Sequence, residues 1–245
     1  MPAAQAAYLG NPAPQVREAY AFRHGLDVDR SVRKLSTSRW NSPVTMRNLR
    51  FTARESYGVA AWRDVLVEAS GIFGVSRADI DFGTVDLGDV VGAAFWDKFA
   101  PDVPHTGGRR QLTFGDHYGP TVGAALRGRL IEWRGAAVSV GGQLLYTSNS
   151  DTGQPAMVLR YNEWDLFAGL SWTGRFMSLY TGWDNSWLVG ELTTPDPNIA
   201  TDLDQETGTG VFAGIALHFY RHWDVATELR LINQSAVSVQ VLYEY

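Results

Sequence analysis

The sequence predicts an all-β protein: an antiparallel up-and-down β-barrel that spans a membrane, with about twelve strands and ten as the alternative. Three observations carry that expectation. The last ten residues alternate strictly, with Val237, Val239, Val241, Tyr243 and Tyr245 on one face and Ser238, Gln240, Leu242 and Glu244 on the other. Period-2 alternation means a strand with different surroundings on its two sides. Counting back from that strand, short and long connections alternate in a steady phase, as they do where every second turn lies on the same side of a membrane. Aromatic residues also gather near the strand ends, as two lipid–water interfaces select.

The elements follow from the C-terminus backwards. The last strand covers 236–245, and Asn233-Gln234-Ser235 makes a brief outer turn. A strand over 223–232 places Trp223, Val225, Thr227, Leu229 and Leu231 on one face, and Arg221-His222 is a tight inner turn. Val211, Ala213, Ile215, Leu217 and Phe219 form the next apolar face. The polar, acidic stretch 184–210 then reads as the longest outer loop. Further back come a strand over 176–183, the inner turn Thr173-Gly174-Arg175, a strand over 157–172 and an outer loop over 148–155. A strand over 136–146, the turn 132–135, a strand over 121–131 and an outer loop over 97–119 follow. The N-terminal third is divided into short strands over 20–34, 46–55, 59–69, 71–85 and 89–96, with Tyr57-Gly58 as a turn.

Composition narrows the class. The chain has 245 residues and no cysteine, which removes disulfide scaffolds, thiolate metal sites and cysteine nucleophiles. Net charge is -5, against a nucleic-acid partner. No window approaches eighteen uninterrupted apolar residues, so no transmembrane helix is expected. Mean hydropathy is only -0.16, but a barrel hides its lipid face in alternation. Residues 1–15 read as a disordered leader or the remnant of an export signal, and 16–245 as one barrel domain.

A closing strand that ends on an aromatic resembles the bacterial outer-membrane β-barrels, a broad, porin-like class. The resemblance implies export through the periplasm to the outer membrane. It implies that Val241, Tyr243 and Tyr245 act as the assembly signal read by the barrel assembly machinery. It also implies contact with outer-membrane lipid and lipopolysaccharide, and it leaves room for a homo-oligomer or an envelope partner.

If the apolar faces meet lipid, their neighbours meet the lumen. The expected lining is Arg50, Arg54, Arg127, Arg129, Glu163, Asp165, His218, Glu228 and Arg230. Trp133, Trp172, Trp183 and Trp223 are the expected interface aromatics. Two readings of the charged lumen stand side by side. In one, arginines face carboxylates across a narrow passive pore for ions or small polar solutes. In the other, the charges pair and plug the barrel, which then acts through its outer loops as an adhesin, receptor or envelope scaffold. Inward glycines at 123, 141, 169 and 214 would leave space at the wall and lean toward the pore. Catalysis, as an outer-membrane hydrolase or protease, ranks a distant third: no serine accompanies His218 in a lipase-like motif, and Asp116-His117 is an isolated dipeptide in a loop. No cofactor or metal is expected either. The acidic stretch 196–206 reads as a solvated loop rather than a calcium site, since its spacing matches no EF-hand; bridging to lipopolysaccharide through divalent cations stays open.

Overall fold

The computed structural model describes residues 12, 19–37, 44–63, 65–86, 109–115, 117–151, 157–193, 200–205, 208–219, 222–232 and 235–245. The strands are β1 (Phe22–Thr37), β2 (Val44–Trp62), β3 (Val65–Asp86), β4 (Arg109–Phe114), β5 (Tyr118–Trp133), β6 (Ala136–Asp151), β7 (Met157–Thr173), β8 (Met177–Thr193), β9 (Ala200–Gln205), β10 (Thr209–Phe219), β11 (Trp223–Leu231) and β12 (Ser235–Glu244). All pairings are antiparallel. The closed ring is β1-β2-β3-β5-β6-β7-β8-β10-β11-β12, so the barrel has ten strands. β4 continues the lane of β5 along β3, and β9 continues the lane of β10 along β8.

Ring closure joins the two ends of the chain. His24 lies opposite Tyr243, and Val28 opposite Val239. Closure pairs each of the ten ring strands on both sides, as a membrane requires. The inner turns are tight. Arg134 and Gly135 both have positive φ (51° and 83°), which gives a two-residue hairpin whose twist matches its strands.

The N-terminal third departs from the sequence reading. Its short pieces merge into two long strands. β2 runs straight through Tyr57-Gly58, where a bulge between Gly58 and Ala60 replaces the expected turn. The reversal comes instead at Arg63, with φ 53°. β3 likewise passes through Ser70-Gly71 without a break. The expected strand 89–96 lies outside the described residues, as does most of the leader. One leader residue, Pro12, is buried with its ring against Gly169 on the lumen wall.

The expected outer loops are also shorter than the sequence suggests. β6 extends to Asp151, and 109–114 and 118–119 are strand rather than loop. Of the stretch 184–210, residues 184–193 belong to β8, 200–205 to β9, and 209 opens β10. Asp184 is fully buried inside the barrel.

The reason is an inversion of polarity along the strands. In the lower part, polar side chains point in and apolar ones out: on β2, Arg50, Thr52 and Arg54 are buried while Phe51 is exposed. Near the outer end the faces exchange. Val44 and Met46 are buried, while Arg47 is exposed. On β7, Met157 and Leu159 face in and Arg160 faces out, and on β8, Leu188 and Leu192 face in and Glu191 faces out. The inward apolar residues form one cluster with Leu35, Ile80, Phe114, Tyr161 and Leu203. Such a section is built like a water-soluble barrel, with a dry core and a charged exterior. From Met157 to Asn162 it rises about 17 Å along the strand, or roughly 13 Å of height at a tilt near 40°. The strands therefore continue past the bilayer.

The β11–β12 hairpin does not reach this level. β1 pairs with β12 only up to Val32 opposite Ser235, and then with β9 from Leu35 opposite Gln205. The wall loses the hairpin at the outer end, which narrows it around the apolar plug.

Candidate functional site: a filled, charged lumen

Below the apolar plug, the interior is a band of paired charges. Among the described residues, nine carboxylates and six arginines are buried. Glu163 on β7 sits at its upper edge. It accepts from Arg33 of β1 and, at 2.8 Å, from Arg50 of β2. Arg33 also donates to Gln205 at 2.8 Å and Ser186 at 3.2 Å. Asp29 lies 3.8 Å from Arg50 and accepts from Ser238 at 3.0 Å. One layer down, Arg54 reaches Asp27 at 3.5 Å and crosses the lumen to Gln143 at 3.3 Å. Gln143 donates to Asp165 at 2.9 Å. Arg230 donates to Glu228 at 3.0 Å and lies 4.0 Å from Asp165. Arg127 lies 3.7 Å from Glu68, which accepts from Ser70. These contacts tie β1 and β2 to β6 and β7 on the facing wall. The side chains of Arg50, Arg54, Arg127, Glu163, Asp165, Glu228 and Arg230 are each no more than 2% exposed.

Eight of the nine expected lining residues therefore face the interior in one connected region or in the relay below it. Arg129 differs. It sits beside the bulge between Arg129 and Ile131, about a quarter exposed, and pairs with Glu132 at the inner mouth. The inward glycines do not leave open space. A Cβ at Gly141 would meet the Phe167 ring at 2.4 Å, and one at Gly214 would meet Tyr180 at 2.2 Å. At Gly123 and Gly169 the neighbours are Leu145 at 2.5 Å and Pro12 at 2.8 Å. Phe167, Tyr180 and Phe212 pack as a buried group inside the lower barrel. The glycines make room for these side chains and do not widen the lumen.

At the inner mouth, four strands contribute a relay. Arg23 of β1 pairs with Asp224 of β11, whose Oδ1 lies 2.7 Å from His218 Nδ1. His218 Nε2 lies 2.9 Å from Ser178 Oγ. Sequence reasoning missed Ser178, which register alone brings beside His218. The connectivity is that of a nucleophile, base and acid. Yet Ser178 is 2% exposed, and nearby backbone N–H groups are committed: Thr173 to Gly135, Gly174 to Met177 and His218 to Phe176. An acyl-transfer site needs free donors aimed at a developing oxyanion. As packed, the four side chains form a hydrogen-bonded tie across the mouth. Among the described residues no group of acidic and histidine side chains could hold a metal. Asp202 and Asp204, from the acidic stretch, lie exposed on the outer face of β9, and His117 is exposed near the start of β5. Asp116, Asp196 and Glu206 lie outside the described residues.

The exterior matches a bilayer. Leu126, Leu166, Leu170, Leu229 and Ile131 are more than half exposed. Trp133, Trp172 and Trp223 mark the inner boundary, and the Tyr243 ring packs tilted against Trp223 at 4.8 Å. Trp164 and Trp187 are register partners toward the outer boundary. Trp183 does not sit at the outer boundary. It lies opposite Ala168, midway between Trp164 and Trp172, because β8 continues ten residues beyond it. Val241 and Tyr243 share one face of β12, and Tyr245, just past its end, lies edge-on to Tyr243 at 5.0 Å.

A closed, even-stranded ring with an apolar belt, two aromatic levels and a polar interior defines the class: a transmembrane β-barrel of the bacterial outer membrane. No family model matches the chain, and no curated protein matches it. It is similar in overall shape to several solved barrels. An outer-membrane channel from Pseudomonas putida F1 has 10% identity and a TM-score of 0.47, covering 94% of this chain and 97% of that one. The translocator domain of the autotransporter NalP from Neisseria meningitidis has 9% identity and a TM-score of 0.49, covering 94% and 89%. The outer membrane protease OmpT from Escherichia coli has 8% identity and a TM-score of 0.47, covering 91% and 97%.

Proposed function

We propose that this barrel is a narrow passive conduit of the outer membrane that is shut at rest. The carrying observation is its polar, charged interior from the girdle to the inner mouth, where among the described residues buried carboxylates outnumber buried arginines nine to six. Polar atoms of that lining, among them Arg50 Nε, Arg230 Nη2 and Asn48 Oδ1, have no protein partner. Buried groups of this kind are completed by water. A hydrated, net acidic track favours small cations and small polar solutes. The charge girdle and the apolar plug above it hold the track closed, and passage requires both to move.

A second reading has its own observation. Side chains exposed by no more than 2% exclude solutes as packed, so a permanently closed barrel would act through its outer extension as a scaffold or receptor. Bilayer recording separates the two. Discrete steps that reverse toward the cation potential in a salt gradient support the conduit. A folded barrel that stays silent, including after Glu163→Gln loosens the girdle, supports the scaffold.

A further inference from the structure

The outer surface carries a groove in the periplasmic half of the wall, where the lower ends of β5, β6, β7 and β8 meet β10. Its volume is about 660 Å³, within the roughly 300–1,000 Å³ of small-ligand sites. Ala136, Val138, Leu170, Trp172, Leu179 and Ala213 line it. The depth comes from Ala136 and Ala213, whose short side chains sit between larger neighbours. Directly below are two inner turns, held together by the Thr173 N–H donating to the Gly135 carbonyl at 2.8 Å. Each turn carries an arginine against an aromatic ring. Arg134 lies 4.9 Å over Trp133, and Arg175 lies 5.1 Å over Phe176. Both rings are 68% exposed, so both guanidinium groups sit at the lipid–water boundary. The nearest acid in sequence, Glu132, is taken by Arg129. Among the described residues, neither Arg134 nor Arg175 has an ion pair.

We infer that this groove and its two arginines form a site for one anionic phospholipid of the periplasmic leaflet. An acyl chain fills the apolar groove, and the phosphate lies between Arg134 and Arg175. The rings beneath the guanidinium groups hold them toward the headgroup level. A zwitterionic lipid offers the same chains but cancels the charge that two unneutralised cations attract. The inference rests on the membrane placement and is independent of whether the lumen conducts.

The test is native mass spectrometry of the whole barrel from neutral detergent, with phosphatidylglycerol and phosphatidylcholine of equal chain length in competition. Two cations beside an anionic headgroup predict about a thirtyfold preference for phosphatidylglycerol. Arg134→Gln with Arg175→Gln should abolish the preference, while Arg63→Gln, on an inner turn away from the groove, should leave it intact. Ala213→Trp should weaken retention of both lipids. Equal retention of the two lipids by the native barrel would overturn the inference, as would an equal loss in Arg63→Gln. Heat-dependent gel mobility confirms that each variant is folded before it is compared.

Discussion

Glu163→Gln is the most informative single change in the girdle. The glutamate is 1% exposed and is shared by Arg33 and Arg50. Glutamine keeps the volume and can still accept a hydrogen bond, but it removes the charge both arginines face. Arg33 retains Gln205 and Ser186, whereas Arg50 retains only the more distant Asp29, at 3.8 Å. Breaking a buried pair by removing one partner costs about 3–5 kcal/mol, because the other charge stays buried and unpaired. The residual partners place this case at the lower end, near 3 kcal/mol. With a urea slope of about 2 kcal/mol/M, the unfolding midpoint should fall by roughly 1.5 M. The nine tryptophans report unfolding of the barrel in micelles by fluorescence. A fall below about 0.5 M would mean that water solvates the carboxylate and that the girdle is not tight. In bilayers the same variant should open more often than the native barrel.

Further predictions follow from other parts of the barrel. Gly141→Ala forces a Cβ to within 2.4 Å of the Phe167 ring and 2.7 Å of the Leu126 carbonyl, so it should destabilise by about 1–3 kcal/mol. Phe167→Leu should recover part of that loss in the double variant but not alone, measured by the same urea titration. The chain has no cysteine, so single-cysteine labelling is free of background. Arg160→Cys should react with an impermeant maleimide in intact cells and Leu166→Cys should not; labelling of both would move the membrane boundary. Leu159→Ala, within the apolar plug, should cost about 2–5 kcal/mol, the range for a buried leucine. Tyr245→Ala should slow insertion by the assembly machinery while leaving detergent refolding near normal, and unchanged insertion in cells would remove Tyr245 from the signal.

Much of the wall was legible in the sequence because a strand's side chains alternate whatever its neighbours are. That local rule placed Glu163, Asp165, Glu228 and Arg230 inside and Leu166, Leu170 and Leu229 outside. It failed at 184–193 for a physical reason. From Leu188 on, β8 leaves the bilayer and its apolar and polar faces exchange, so the alternation breaks and the stretch reads as a loop. The same exchange hid the position of Trp183. In the N-terminal third, Tyr57-Gly58 has the composition of a turn, but a bulge absorbs it within β2.

By itself the sequence determined the fold class, the closing strand and the polarity of each face, since these depend on residues one and two apart. Only the tertiary structure decided that the lumen is filled. Arg33 meets Glu163 across 130 positions of chain, and Ser178 meets His218 across 40. Such contacts depend on the number of strands and their stagger, which set how wide the barrel is and which side chains share a level. Ten strands bring opposite walls within reach of an arginine, and that distance, rather than any local pattern, closes the barrel.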